Sequence, residues 1–223
     1  QSAGVNNAAM VSTTAPAELV KSLLSSQRLP CDIACYNAPD QTIIAGQISD
    51  LDQLSEALQA AGFVSRTIRV PMPYHSRLMQ PAQAPLEKAL RTIPLRTPSI
   101  RYISCGSLLP LEEPDDIRAS LVAELAEPVR WQDLMETLIA SDTGLVIESG
   151  PRQILTRLNR KIIGDRQVTH IASDARPGNA VEQLARVRLL LEMTRQTMDE
   201  STRPTTADSS PAAATHAGDR TPT

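Results

Sequence analysis

Aromatic residues are nearly missing from this chain: they make up 2% of its 223 residues. That leaves no stacking platform for single-stranded nucleic acid. Basic charge is not in excess either. Lys and Arg number 22 against 25 Asp and Glu, a formal net charge of -3. The usual footprint of a nucleic-acid or anionic-membrane partner is therefore lacking. No apolar run approaches the roughly 20 residues that span a bilayer, and no basic-then-apolar leader opens the chain. Cysteine is scarce: Cys31, Cys35 and Cys105. An odd, sparse set argues against a disulfide framework and fits a reducing cytoplasm. Cys31 and Cys35 lie in a strand-like stretch spanning about 13 Å, whereas one ion needs both sulfurs within ~2.3 Å. They read as small buried apolar side chains. No internal repeat is visible. The chain begins at Gln1 rather than Met, which points to a fragment or a processed product.

What is present is ordinary for a soluble globular protein: 41% hydrophobic and 21% charged residues, enough chain for one large domain or a domain plus a small insert. Periodicity predicts strands over Ala8–Thr13, Cys31–Tyr36, Gln41–Gly46 and Ser65–Val70. It predicts helices over Pro16–Ser26 and Asp50–Ala61, the second capped by Ser49 and stopped by Gly62. Asn37 to Asp40 reads as a turn. The order strand, helix, strand, strand, helix, strand is the ferredoxin-like pattern. After Pro71 the pattern changes. Helices are expected over Leu78–Ile93, Asp115–Ala126, Trp131–Ala140, Pro151–Ile163 and Asn179 to about Met198. Strands are expected over Ser99–Ser104, Gly144–Glu148 and Val168–Ala172. Such alternation argues for an α/β layer. Gly144–Glu148 reads as a strand buried on both faces of a parallel sheet, and Pro151 as a first-turn proline. From Asp199 the Thr, Pro, Ala and Ser content predicts a disordered tail or linker. The expected division is 1–70, 71–198 and 199–223.

Three places carry candidate chemistry. His75 follows Pro71, Pro73 and Tyr74 and precedes a helix; a histidine so placed suits general base work, although a purely structural role is the commoner one for such a residue. Glu148-Ser149-Gly150-Pro151 joins a strand to a helix, where a helix N-terminus can receive an anion, or where the chain simply turns. Arg152, Arg157, Arg160 and Lys161 are read on one helix, with 157, 160 and 161 sharing a face. That face suits an acidic carrier protein or plain solvent.

At this point the residues resemble a family. Tyr36-Asn37-Ala38-Pro39-Asp40-Gln41-Thr42-Ile43-Ile44-Ala45-Gly46 is similar to the "N-S-P-x-Q-x-V-x-S/A-G" segment of malonyl-CoA:acyl-carrier-protein transacylases and polyketide synthase acyltransferase domains. Pro73 to Pro81 resembles their "P-x-H-S/C-x-L-M-x-P" segment. Ile117 to Trp131 is similar to "I-R-x-x-L-V-x-Q-L-x-x-P-V-x-W", and Glu148 to Thr156 to "E-x-G-P-x-x-V-L-T". The resemblance runs from Gln1 to about Ala172.

The resemblance implies an α/β-hydrolase-like large subdomain with an inserted ferredoxin-like small one. It implies ping-pong transfer of a malonyl group from malonyl-CoA, through a serine ester, to the phosphopantetheine thiol of an acyl carrier protein, with neighbouring synthase domains as further partners. No bound cofactor, nucleic acid or membrane is implied. His75 takes the role of the catalytic histidine, oriented by the backbone carbonyl of Glu124. The family has glutamine at 124, and a carboxylate beside the ring would raise its pKa. Tyr74 and Asn37 become substrate-contacting residues; a bulky aromatic at 74 favours malonyl over a methyl-branched unit, although Met72 and Pro73 fit neither signature. The chain lacks the family's serine elbow, its oxyanion-hole glutamine and its carboxylate-binding arginine, and these parts act as a unit. An acyl hydrolase of the same fold, or a non-catalytic remnant that docks carriers, are the alternatives.

Overall fold

A computed structural model describes residues 7–141, 143–175 and 179–201. The expected tail lies almost wholly outside the described residues. The first half is β1 (Ala8–Thr13), α1 (Ala17–Gln27), β2 (Asp32–Ala38), β3 (Gln41–Gln47), α2 (Ile48–Ala60) and β4 (Ser65–Ile68). The strands form a four-stranded sheet in the order β2-β3-β1-β4, and every neighbouring pair is antiparallel.

Alternation along the strands sorts side chains into two layers. Val11 and Ile44 pack with Val20 of α1 and Leu51, Leu54 and Leu58 of α2. Met10, Ala34, Ile43 and Ala45 face the other way, against Ile68 and Tyr74. The sheet is thus covered on both faces, and Thr42 to Gly46 is buried without interruption. Cys31 belongs to the first layer and Cys35 to the second. Burial pushes the Cys31 thiol up to about 12 and that of Cys35 to about 11, so neither offers a thiolate at neutral pH.

Several boundaries move by one residue, and three move by two. β2 continues to Ala38, because Ala38 pairs with Gln41 and leaves only Pro39-Asp40 to turn. α2 begins at Ile48 after Gln47, so Ser49 lies inside the helix rather than capping it. β4 stops at Ile68: Val70 turns back to donate to the Ile68 carbonyl, and Pro71 has no N–H to continue the ladder.

The second half departs more. The helix expected over Leu78–Ile93 is a 3₁₀ segment, Arg77–Ala82, followed by α3 (Gln83–Leu90). Pro81 and Pro85 each remove a backbone donor there. The strand expected at Ser99–Ser104 is reduced to one bridged pair, Ile103 with Pro110. Then come α4 (Pro114–Ala123), α5 (Trp131–Ala140), β5 (Leu145–Pro151), α6 (Ile154–Ile163), β6 (Thr169–Asp174) and α7 (Ala180–Ser201). β5 and β6 form a two-stranded parallel sheet. β5 is half-buried rather than covered on both faces, since only β6 flanks it among the described residues. Pro151 ends β5 instead of opening α6. No helix among the described residues is long and apolar enough to cross a membrane.

One segment joins the halves. The Val129 N–H donates to the Ala34 carbonyl at 2.9 Å, and the Tyr36 N–H donates to the Val129 carbonyl at 2.8 Å. Val129 therefore caps the outer edge of β2, which would otherwise stand open. Trp131 follows. Its indole N–H donates to the Asn159 side chain at 2.9 Å, and its ring packs with Met135, Leu158 and Ile162.

Gly46 is the last residue of the segment 36–46 for a steric reason. A Cβ there would lie 2.5 Å from Cys31 Sγ. Gly46→Ala is expected to lower stability by about 1–3 kcal/mol through overpacking, read in a urea melt. Adding Cys31→Ala is expected to recover most of that loss, because the two sites share one space. Independent, additive effects would contradict this account.

Candidate functional site

The site grows from the connection between β4 and α3. Pro73 is buried, and Ser76 is fully enclosed; the Ser76 hydroxyl donates to the Pro73 carbonyl at 2.6 Å. Tyr74 lays its ring on the second face of the sheet, against Met10, Ala34, Ile43 and Ala45. Arg77 donates its backbone N–H to Asp32 at 3.0 Å and pairs with it through the guanidinium at 3.4 Å. The pair is solvent-exposed and contributes little. These anchors on either side force His75 into the left-handed region, at φ 59°. A histidine tolerates that region better than most residues, at a cost of about 1 kcal/mol or more.

Two carbonyls hold it there. The His75 N–H donates to the Leu125 carbonyl at 2.9 Å, and Nδ1 lies 2.6 Å from the Glu124 carbonyl. Both oxygens sit just beyond the end of α4, where the last turn leaves carbonyls without helical partners. A carbonyl oxygen can only accept, so Nδ1 carries the proton and Nε2 keeps its lone pair. The chemical consequence is a half-buried imidazole with its basic nitrogen turned away from its anchor.

The acyl transferase domain family matches residues 6–209. This chain belongs to that family. The malonyl CoA-acyl carrier protein transacylase of Haemophilus influenzae is 31% identical over 149 residues, 66% of this chain and 47% of that protein. The conidial yellow pigment biosynthesis polyketide synthase of Emericella nidulans is 31% identical over 172 residues, 74% of this chain and 8% of the synthase. A solved malonyl-transacylase, in complex with its type II polyketide acyl-carrier protein, superposes with a TM-score of 0.72 at 25% identity, over 80% of this chain and 59% of that one. The mixed α/β fold is that of these enzymes. The chain spans about half the length of the transacylase that it matches.

The Glu124 carboxylate accepts from the Ser104 hydroxyl at 3.0 Å, while the backbone carbonyl of the same residue meets Nδ1 of the ring. Ser104 in turn accepts from the Ser120 hydroxyl and from the Gly106 N–H. Sequence reasoning missed both serines; the only signal was the acidic residue at 124 that the Ser104 hydroxyl meets. Asn37 sits in β2 at the irregularity between Tyr36 and Ala38, and no hydrogen bond among the described residues ties it to the His75 loop.

The basic face divides. Arg152 lies before α6, at φ 73°, with its N–H on the Asp174 carbonyl. Lys161 is spent on Asp40, 2.8 Å away in the β2–β3 turn. Arg157 and Arg160 remain exposed on α6. The N-terminus of α6 already holds an anion, its own Glu148, whose carboxylate accepts from the Leu155 N–H at 3.0 Å and the Thr156 N–H at 2.7 Å. Burial alone would raise the Glu148 pKa, but these bonds from the first turn of α6 hold it below the ordinary 4.5.

A lowered folded-state pKa adds stability above the unfolded value and loses it as pH falls through the folded one. Glu148→Gln is therefore expected to cost about 1 kcal/mol at pH 7, and the gap to the native chain is expected to close as pH falls below 4.5. Thermal melts across pH check this; a constant gap down to the acid transition would sink the capping role.

Proposed function

We propose that this chain is the histidine-bearing part of an acyltransferase that moves a malonyl group from malonyl-CoA to the phosphopantetheine thiol of an acyl carrier protein. The observation that carries the reading is the contact of His75 Nδ1 with the Glu124 carbonyl at 2.6 Å. It fixes the tautomer in which Nε2 can accept a proton. A serine supplied outside this chain attacks the thioester carbonyl. Nε2 takes the serine proton, the C–S bond breaks, and the imidazolium protonates the departing CoA thiolate. In the second half the carrier's thiol gives its proton to Nε2 and attacks the serine ester. The proton then passes to the serine oxygen as the ester C–O bond breaks.

The sheet order β2-β3-β1-β4, with α1 and α2 packed on one layer, supports a ferredoxin-like small subdomain over 1–70. The β5–β6 pair supports the remainder of a larger α/β subdomain over 71–198. Tyr74 is fixed beside His75 by its packing, which supports a wall that excludes an α-methyl. Arg157 and Arg160 are the cations left for an acidic carrier.

The test is a transfer assay with the protein encoded by the whole reading frame, using labelled malonyl-CoA and phosphopantetheinylated carrier. Labelled carrier is expected, and His75→Ala is expected to reduce its formation by about 10²–10⁴-fold. Free malonate in place of labelled carrier would make the protein a hydrolase. No turnover of malonyl-CoA at all would leave a carrier-docking module.

A further inference from the structure

Ser104 is almost completely buried, 1% exposed, although it is a polar residue on an irregular loop. Its hydroxyl has every valence used. The Ser120 hydroxyl donates to it at 3.0 Å and the Gly106 N–H at 3.1 Å. With both acceptor positions filled, its single proton has one destination, Glu124 Oε1, at 3.0 Å. The backbone around it is equally fixed. The Ser104 carbonyl accepts from Leu108 at 3.0 Å, the Cys105 carbonyl from Arg130 at 3.0 Å, and the Tyr102 carbonyl from Leu111 at 2.8 Å. Glu124, by contrast, lies just past the end of α4. Its own N–H still bonds to the Ser120 carbonyl, but its carbonyl has left the helical ladder to meet His75. A carbonyl at a helix end is free to swing unless something beyond the helix holds its residue.

We propose that Ser104 and the Glu124 carboxylate form a clasp that positions His75: the clasp holds residue 124, and residue 124 presents the carbonyl that fixes Nδ1. Ser104 and the Glu124 side chain are positioning residues, since they act on the ring through the Glu124 carbonyl. A charge-assisted bond is stronger than a neutral one, which gives the acidic residue at 124 a purpose that a backbone carbonyl alone does not require. The proposal rests on the reading of His75 as the base, but its test does not depend on turnover.

The test tracks the His75 tautomer by ¹⁵N NMR in the 223-residue chain, labelled at histidine. Every variant at 124 keeps the backbone carbonyl, so a carbonyl-only role predicts no change. The clasp predicts that Glu124→Ala shifts the ring by about tenfold toward the Nε2–H tautomer, the effect of losing one charge-assisted hydrogen bond. Glu124→Gln, which keeps an acceptor oxygen but loses the charge, is expected to fall between the native ratio and that of Glu124→Ala. Ser104→Ala is expected to match Glu124→Ala. It also strands two half-buried donors, so Glu124→Ala, at a half-buried position, decides the matter if Ser104→Ala does not fold. A native tautomer ratio in Glu124→Ala overturns the clasp, whatever the transfer assay shows. A failed transfer assay removes the function reading and leaves the tautomer result standing.

Discussion

The rest of the site depends on where α4 stops. Its last helical residue is Ala123, and the next two carbonyls, Glu124 and Leu125, turn outward to receive the side chain and backbone of His75. Had the helix run on, as its apolar spacing allows, both oxygens would be spent on its own N–H groups. Pro128 blocks that continuation. Val129 then pairs with β2, and Trp131 opens α5. One short segment thus ends a helix, seals a sheet edge and presents two acceptors to a residue 49 positions away.

The cost of this arrangement is local strain, and its compensation is also local. His75 is left-handed, yet it lies between a buried proline and a buried serine that bond to each other across it. Tyr74 anchors the same loop to the sheet. The exposed Asp32–Arg77 pair contributes less than these buried contacts. His75 is therefore placed by packing and by helix-end carbonyls, neither of which salt screens.

How much was legible in the sequence varies along the chain. The strands and helices up to Ile68 show clean periods of two and 3.6, and their order was readable, because each strand buries alternate residues in separate layers. Beyond Ile68 the prolines at 81, 85 and 110 obscured the pattern: they break ladders and helices that composition alone favours. Glu148 was visible as a motif residue, but its service as the anion at α6 was not, since the bonding N–H groups lie seven and eight residues on. Lys161 read as a free cation because its partner, Asp40, is 121 positions away. His75 and the carbonyl of Glu124 came from resemblance. Physics added the reason that such a carbonyl selects one tautomer. Ser104 was signalled only indirectly, by the acidic residue at 124, since a lone serine acquires meaning from the three partners that folding brings to it.

The most direct measurement is a neutron structure of the deuterium-exchanged chain. The account predicts that, where the ring is neutral, His75 carries its deuterium on Nδ1, directed at the Glu124 carbonyl, and none on Nε2. Deuterium on Nε2 alone, or a ring turned so that Nδ1 faces solvent, would contradict it and leave His75 a structural residue of the loop.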